Sequence, residues 1–177
     1  MGTVPFFKRN RPHFKIISNQ KKVIKLKSNA YNKYYKGKRE VQMQITTIFI
    51  QNNKKQLLIQ KRSEKKGGKY GITSGHTLIG EDAKKGAIRE VKEELGLDIN
   101  EKELQLIYQE EQKSIIYNLY FITKEIKLES LSLQKEEVEN VYWCTIEEIK
   151  NLIRKNEFYD KQIEAFKIFE RHIEEEF

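Results

Sequence analysis

The segment Gly75-His76-Thr77-Leu78-Ile79-Gly80-Glu81-Asp82-Ala83-Lys84-Lys85-Gly86-Ala87-Ile88-Arg89-Glu90-Val91-Lys92-Glu93-Glu94-Leu95-Gly96-Leu97 constrains this chain more tightly than any other. Gly75, Glu81, Arg89, Glu90, Val91, Glu93, Glu94, Gly96 and Leu97 follow the spacing G-x5-E-x7-R-E-[apolar]-x-E-E-x-G-[apolar]. Seven fixed residues and two apolar ones at set offsets arise by chance at a rate well below about 10⁻⁵, even in a Glu-rich chain.

Between Ala83 and Leu95 the apolar Ile88, Val91 and Leu95 recur at i, i+3 and i+7, which predicts a helix with one apolar stripe. Asp82 is placed to cap its start and Gly96 its end. On that helix Glu90, Glu93 and Glu94 share an arc of about 100° and are expected to lie opposite the stripe. Three crowded carboxylates repel one another, so a counter-charge is required. Oxygen-only ligands on a rigid helix suit Mg²⁺ or Mn²⁺, and the lack of Cys and His in the patch argues against zinc. Arg89, four residues before Glu93, is expected to pair with it and fix its rotamer. Each Glu taken alone reads as a solvated surface charge; the full spacing overrides that reading.

Working outward, Val41 to Ile50 is apolar and β-branched, Asn52-Asn53 marks a turn, and Leu57 to Gln60 continues as a second strand. Leu104 to Tyr108 and Ile115 to Ile122 read as a pair of strands and Val138 to Cys144 as another. Thr145 with Glu148 forms a capping box for a helix reaching about Lys155, and a last helix from about Tyr159 places Ile163, Phe166, Phe169 and Ile173 on one face, with His172 on the surface. Strands and helices mixed in one chain predict an α/β fold, a mixed central sheet between helices.

The segment from Gly75 to Leu97 resembles the box of the Nudix hydrolases, with no departure at the fixed positions. Gln56 to Ser63 resembles the strand before the box, Tyr70 to His76 the approach to its first glycine, and Glu136 to Val138, Tyr142-Trp143 and Thr145 to Ile149 the family's last strand and following helix. The resemblance covers roughly residues 41 to 175 and implies an α/β/α sandwich. It also implies Mg²⁺-dependent cleavage of a diphosphate linkage in a nucleoside diphosphate derivative by water. Glu90, Glu93 and Glu94 are then the metal ligands, joined by the Gly75 carbonyl, with Glu81 an outer ligand or an orienting group and Arg89 a structural partner. Within the family the general base moves between box glutamates and a Glu outside the box. Glu93 is the first candidate and Glu137 the outside one, Glu137 reading equally well as an exposed residue of an acidic loop. Arg62 is a candidate for a substrate phosphate or a plain surface charge at a strand end.

Two rival readings carry less weight than this one, and isomerase activity is not expected. A catalytically silent module that binds a nucleotide or RNA would have no need of an intact carboxylate set. Isopentenyl-diphosphate isomerase shares the fold, and Ser74-Gly75-His76 resembles its Cys-Gly-His segment. Yet Ser74 stands where that enzyme needs Cys, and this chain has only His13, His76 and His172 to offer a metal cage.

The 177 residues suit one catalytic domain, residues 41–177, preceded by an extension, residues 1–40. The net charge of +8 is concentrated there. Residues 1–40 hold twelve Lys and Arg against one acid, whereas residues 41–177 hold twenty-two against twenty-five. With Phe6, Phe7, Phe14, Tyr31, Tyr34 and Tyr35 interleaved, the extension could attract nucleic acid or a polyphosphate. Phe14 to Ile17 and Val23 to Leu26 instead read as a β-hairpin, which favours an ordinary N-terminal subdomain. A single Cys, Cys144, forms no internal disulfide and reads as a packing residue in a reducing compartment. With no apolar run long enough for a membrane and only Val4 to Phe7 as a short apolar start, a cytoplasmic protein is expected. The resemblance is compatible with a homodimer, which no residue pattern specifies.

Overall fold

The apolar run that opens the described region alternates sides. In β1 (Met43–Gln51), Ile48 and Ile50 face one core and Phe49 faces another. In β2 (Leu57–Arg62), Leu58 joins the first core while Leu57 and Ile59 join the second. Period-two alternation with apolar residues on both sides is the signature of a sheet covered on both faces. The computed structural model describes residues 43–112 and 115–175; the hairpin expected within residues 14–26 lies outside them.

The remaining elements are β3 (Tyr70–Gly71), β4 (Ser74–His76), α1 (Ala83–Leu95), β5 (Gln105–Gln112), β6 (Ile115–Thr123), β7 (Val138–Cys144), α2 (Ile146–Arg154) and α3 (Ile163–Glu175). The sheet runs β3-β2-β1-β6-β5, with β4 also on β1 and β7 also on β2. β1 and β6 are parallel and pair along their whole length, whereas the other pairings are antiparallel, so the sheet is mixed as expected. β1 and β2 meet only at Gln51 and Leu57. Beyond that point they part: β4 takes the vacated edge of β1, while β2 pairs with β3 and β7. The turn that joins them is held by Asn52, whose Oδ1 accepts from the backbone N–H of Lys54 and Gln56 at 3.0 and 2.9 Å.

Helix α1 lies on the first face, sending Ala87, Val91 and Leu95 into the core with Ile48, Ile50, Leu58, Tyr120 and Val141. Its ends are those expected. Asp82 Oδ1 accepts from the N–H of Lys84 at 2.9 Å, and Gly96, at φ 67°, donates to the Lys92 carbonyl at 3.0 Å. Helices α2 and α3 cover the second face through Ile149, Phe166 and Phe169, and Thr145 with Glu148 closes the capping box of α2. The Phe169 ring stacks on Phe49 at 4.3 Å between centroids and tilts against Phe121 at 5.5 Å. Burying a Phe of this kind contributes about 1.5–3 kcal/mol. Cys144 packs into this second core, and burial pushes its thiol up to about 11, in keeping with packing rather than nucleophilic use.

His172 corrects the sequence reading. It is buried, 4% exposed, with its ring edge-on to Phe121 at 6.5 Å. The buried stripe of α3 steps through Phe166, Phe169 and His172 at i, i+3 and i+6, which leaves Ile163 and Ile173 only partly covered.

Candidate active site

The site forms where the sheet parts. Gln60 of β2 and Thr73, just before β4, face the same end of α1, and Ile48 N donates to the Thr73 carbonyl at 2.9 Å to hold that crossing. In β4, His76, Gly75 and Ser74 pair with Ile45, Thr46 and Thr47. A Cβ on Gly75 would overlap the Glu90 carboxylate, so the glycine makes the space this side chain fills. A Cβ on Gly86 would come 2.8 Å from the Thr77 methyl and 3.0 Å from Glu81 Oε2, so a second glycine lets the loop before α1 close onto the helix.

Arg89 is the hub of this surface. Its Nε and Nη2 donate to the two Glu81 oxygens at 3.0 Å each, Nη1 donates to Glu90 at 2.9 Å and Glu93 at 2.8 Å, and Nη2 reaches the His76 carbonyl at 2.9 Å. The expected Arg89–Glu93 pair is therefore one part of a larger network. The loop folds Glu81 back over the helix, where it also accepts from Leu78 N at 2.8 Å. The shared guanidinium holds the Glu81 carboxyl below the usual carboxylate range. Glu90 goes the other way: its burial outweighs the attraction of Arg89, and its affinity for a proton rises.

Glu94 departs from the sequence expectation. The three carboxylates do not all lie opposite the apolar stripe; the buried face of α1 runs through Ala83, Ala87, Val91, Glu94 and Leu95, while Ile88 is only partly buried. Glu93 is half exposed, Glu90 mostly buried, and Glu94 is 7% exposed. The packing of β2 against α1 sets this, because Glu94 borders Val91 on the helix and is covered by Gln60. Gln60 Nε2 donates to Glu94 Oε2 at 2.7 Å and to Thr73 Oγ1 at 2.7 Å. Burial pushes the Glu94 carboxyl up to about 7; the Gln60 bond and Arg62 oppose this, while Glu90 and Glu137 add to it.

Glu137 and Arg62 thus share the electrostatic neighbourhood of Glu94. Ser63 joins them: its N–H donates to the Glu137 carbonyl at 2.9 Å and its hydroxyl to the Glu136 carbonyl at 2.6 Å, tying the approach of β7 to the end of β2. The Glu137 carboxylate meets Lys66 Nζ at 2.6 Å. Arg62 stacks its guanidinium 4.5 Å from the centre of the Tyr159 ring and donates to the Lys66 carbonyl at 3.2 Å. Among the described residues, no three His, Cys, Asp or Glu side chains converge on a single coordinating point; Arg89 instead spaces Glu81, Glu90 and Glu93 around itself.

A family model for the NUDIX domain matches residues 42–166. The chain belongs to the Nudix family. An uncharacterised Nudix hydrolase of Listeria innocua is 38% identical over 118 residues, 64% of this chain and 70% of that protein. Of solved structures, one from Deinococcus radiodurans superposes with a TM-score of 0.62 at 19% identity, covering 71% of this chain and 81% of that one. The Nudix domain of Shewanella oneidensis NrtR, complexed with ADP ribose, superposes at 0.59 with 11% identity, covering 75% and 88%. These structures share the fold. Family membership makes the chain a hydrolase acting on pyrophosphate bonds. No helix among the described residues is long and apolar enough to cross a membrane.

Nudix proteins in general use divalent metals, and it is the chemistry of this box's donors, rather than their present spacing around Arg89, that suits one. The donors are all oxygen, and the Gly75 cradle keeps Glu90 against β4. The Gly75 carbonyl lies 3.5 Å from Thr46 Oγ1. Glu94 carries a carboxylate that burial and two neighbouring carboxylates destabilise and that no guanidinium hydrogen bond relieves. A hard cation answers that set of needs. Sequence reasoning missed Gln60, Thr73 and Tyr159, whereas Lys66 lies in the basic stretch Lys65 to Lys69 that precedes the site and reads as a phosphate contact or a solvated turn. Gln60 left a usable trace, a lone glutamine at the end of the apolar run Leu57 to Ile59; Thr73 and Tyr159 left none.

Proposed function

We propose that this Nudix protein is a Mg²⁺-dependent pyrophosphohydrolase, accepting Mn²⁺ as well, that cleaves the diphosphate linkage of a nucleoside diphosphate derivative by attack of water. The observation that carries the reading is Glu94 beside Glu90. Glu94 is a buried carboxylate held by a neutral amide, raised toward neutrality and repelled by its neighbour, while the nearby guanidinium is shared among Glu81, Glu90 and Glu93. A site built this way is stabilised by an added cation.

Glu90, Glu93, Glu94 and the Gly75 carbonyl would hold the ion, with Glu81 as an outer group and Arg89 fixing the rotamers of Glu81, Glu90 and Glu93. When bound, the ion neutralises diphosphate oxygens and acidifies the attacking water. Glu93, half exposed and oriented by Arg89 at 2.8 Å, is the first candidate to take the proton of that water, and Glu137 is the alternative. Arg62, at the end of β2, would bind a phosphate of the substrate. The ADP ribose bound by the Shewanella domain is a ligand of the class proposed. Residues 41–177 form the catalytic unit and the basic residues 1–40 an extension of it.

The test is phosphate release from a panel of dinucleoside polyphosphates, nucleotide sugars, ADP-ribose and nucleoside triphosphates, with and without Mg²⁺. Mg²⁺-dependent turnover of at least one member is expected. Binding without turnover across the panel would replace the hydrolase with a nucleotide-binding regulatory module.

A further inference from the structure

Gln60 sits at the end of an apolar run, paired with Val141 of β7 and 3% exposed. A primary amide nitrogen has two N–H bonds. Here both are committed, one to Thr73 Oγ1 and one to Glu94 Oε2, each at 2.7 Å. The amide is thereby fixed between three parts of the fold: strand β2, the segment leading into β4, and the last turn of α1. Glu94 receives no bond from Arg89, whose donors go to Glu81, Glu90, Glu93 and the His76 carbonyl. Gln60 is therefore the group that sets the rotation of the Glu94 carboxylate.

We infer that Gln60 determines which divalent cation the site prefers, by holding Oε2 of Glu94 and leaving Oε1 as the oxygen free to meet an ion. The inference rests on the proposed role of Glu94 as an ion ligand. Mg²⁺ demands a near-octahedral shell with ligands at about 2.0–2.1 Å and is content with one oxygen from a carboxylate, whereas Ca²⁺ collects about six to eight ligands at 2.3–2.6 Å and readily takes both oxygens of one group. Turning Glu94 to offer both oxygens breaks its bond to Gln60. Thr73 and Gln60 are each 3% exposed, so water does not replace the lost partner. Ca²⁺ binding meets that penalty and Mg²⁺ binding does not. Gln60 is thus a positioning residue that discriminates against the larger ion.

Mg²⁺ and Ca²⁺ affinities of the nucleotide-free full chain, measured by calorimetry and by displacement of Mn²⁺ followed by electron paramagnetic resonance, test this without relying on turnover. Gln60→Met keeps the volume and removes both donors; the ratio of Mg²⁺ to Ca²⁺ affinity is expected to shift toward Ca²⁺ on the order of tenfold, the size of one hydrogen bond to a carboxylate. Thr73→Val, which frees the amide from its anchor, is expected to shift it in the same direction by less, and it supplies the measurement if Gln60→Met fails to fold. An unchanged ratio in the folded variant overturns the inference. Glu94→Gln separates the two levels. If it binds Mg²⁺ as tightly as wild type, the ligand role of Glu94 falls and the inference with it. If it loses Mg²⁺ while Gln60→Met keeps the wild-type ratio, only the role of Gln60 falls.

Discussion

The Glu90 carboxylate occupies the volume that any side chain at Gly75 would need. The conflict lies with the far end of a flexible side chain, so the fold can yield by swinging Glu90 aside. Gly75→Ala is therefore expected to cost less than about 1 kcal/mol in stability while displacing Glu90 from Arg89 and from the site, with turnover falling on the order of 10²-fold. Urea unfolding beside a Mg²⁺ titration of activity checks it. A variant that loses stability and keeps its activity would show that Glu90 has no role in the chemistry.

Arg89 neutralises two carboxylates that are mostly shielded from water, Glu81 and Glu90. Arg89→Gln leaves them facing each other and is expected to cost about 2 kcal/mol in the absence of metal. A bound divalent cation replaces part of the missing charge, so Mg²⁺ should stabilise this variant more than it stabilises wild type. Thermal melts with EDTA and with excess Mg²⁺ give the comparison; equal Mg²⁺ effects in both proteins would contradict it.

Glu94 makes metal-free stability depend on pH in a stated direction. Its folded value is raised from the usual 4.5 to about 7, chiefly by burial. The fold thus favours the neutral acid: this contribution is fully present below about pH 4.5 and is lost as pH rises through about 7. Wild type in EDTA is expected to lose on the order of 2–3 kcal/mol over that window relative to Glu94→Gln, whose side chain does not titrate. Under the proposed ligand role of Glu94, Mg²⁺ is expected to reverse the trend by favouring the carboxylate form. The difference between the two urea denaturation curves, followed from pH 4.5 to 8, is the measurement.

Glu93 and Glu137 compete for the role of general base, and their partners separate them. Glu93 is oriented by Arg89 at 2.8 Å, whereas Glu137 is held by Lys66 at 2.6 Å. Glu93→Gln is expected to lower kcat by about 10²–10⁴ at saturating Mg²⁺, and Glu137→Gln by less than about tenfold. The reverse order would assign the base to Glu137.

Much of this architecture was legible locally. The strand from Val138 to Cys144, the Asp82 and Gly96 caps, and the Thr145–Glu148 box each depend on neighbours within a few positions, and the structure has each of them. What could not be read were relationships that close over long separations. Arg89 reaches Glu81 eight residues back and His76 thirteen back only because the intervening loop folds onto the helix. Gln60 meets Glu94 across 34 residues, because β1 and β2 part and leave room for Thr73. His172 has the composition of a surface residue and is buried because α3 lies flat on Phe121.

The amino-acid order alone determined that Glu90, Glu93 and Glu94 stand on one capped helix after a glycine-bearing loop, since helical spacing is a property of the backbone and needs no partner. The tertiary structure alone decided how deep each of them lies. Glu94 sits under β2, Glu90 against β4 and Glu93 at the surface, and depth sets how strongly a carboxylate needs a counter-ion. The charges were written in the chain; the dielectric around them came from what packed on top.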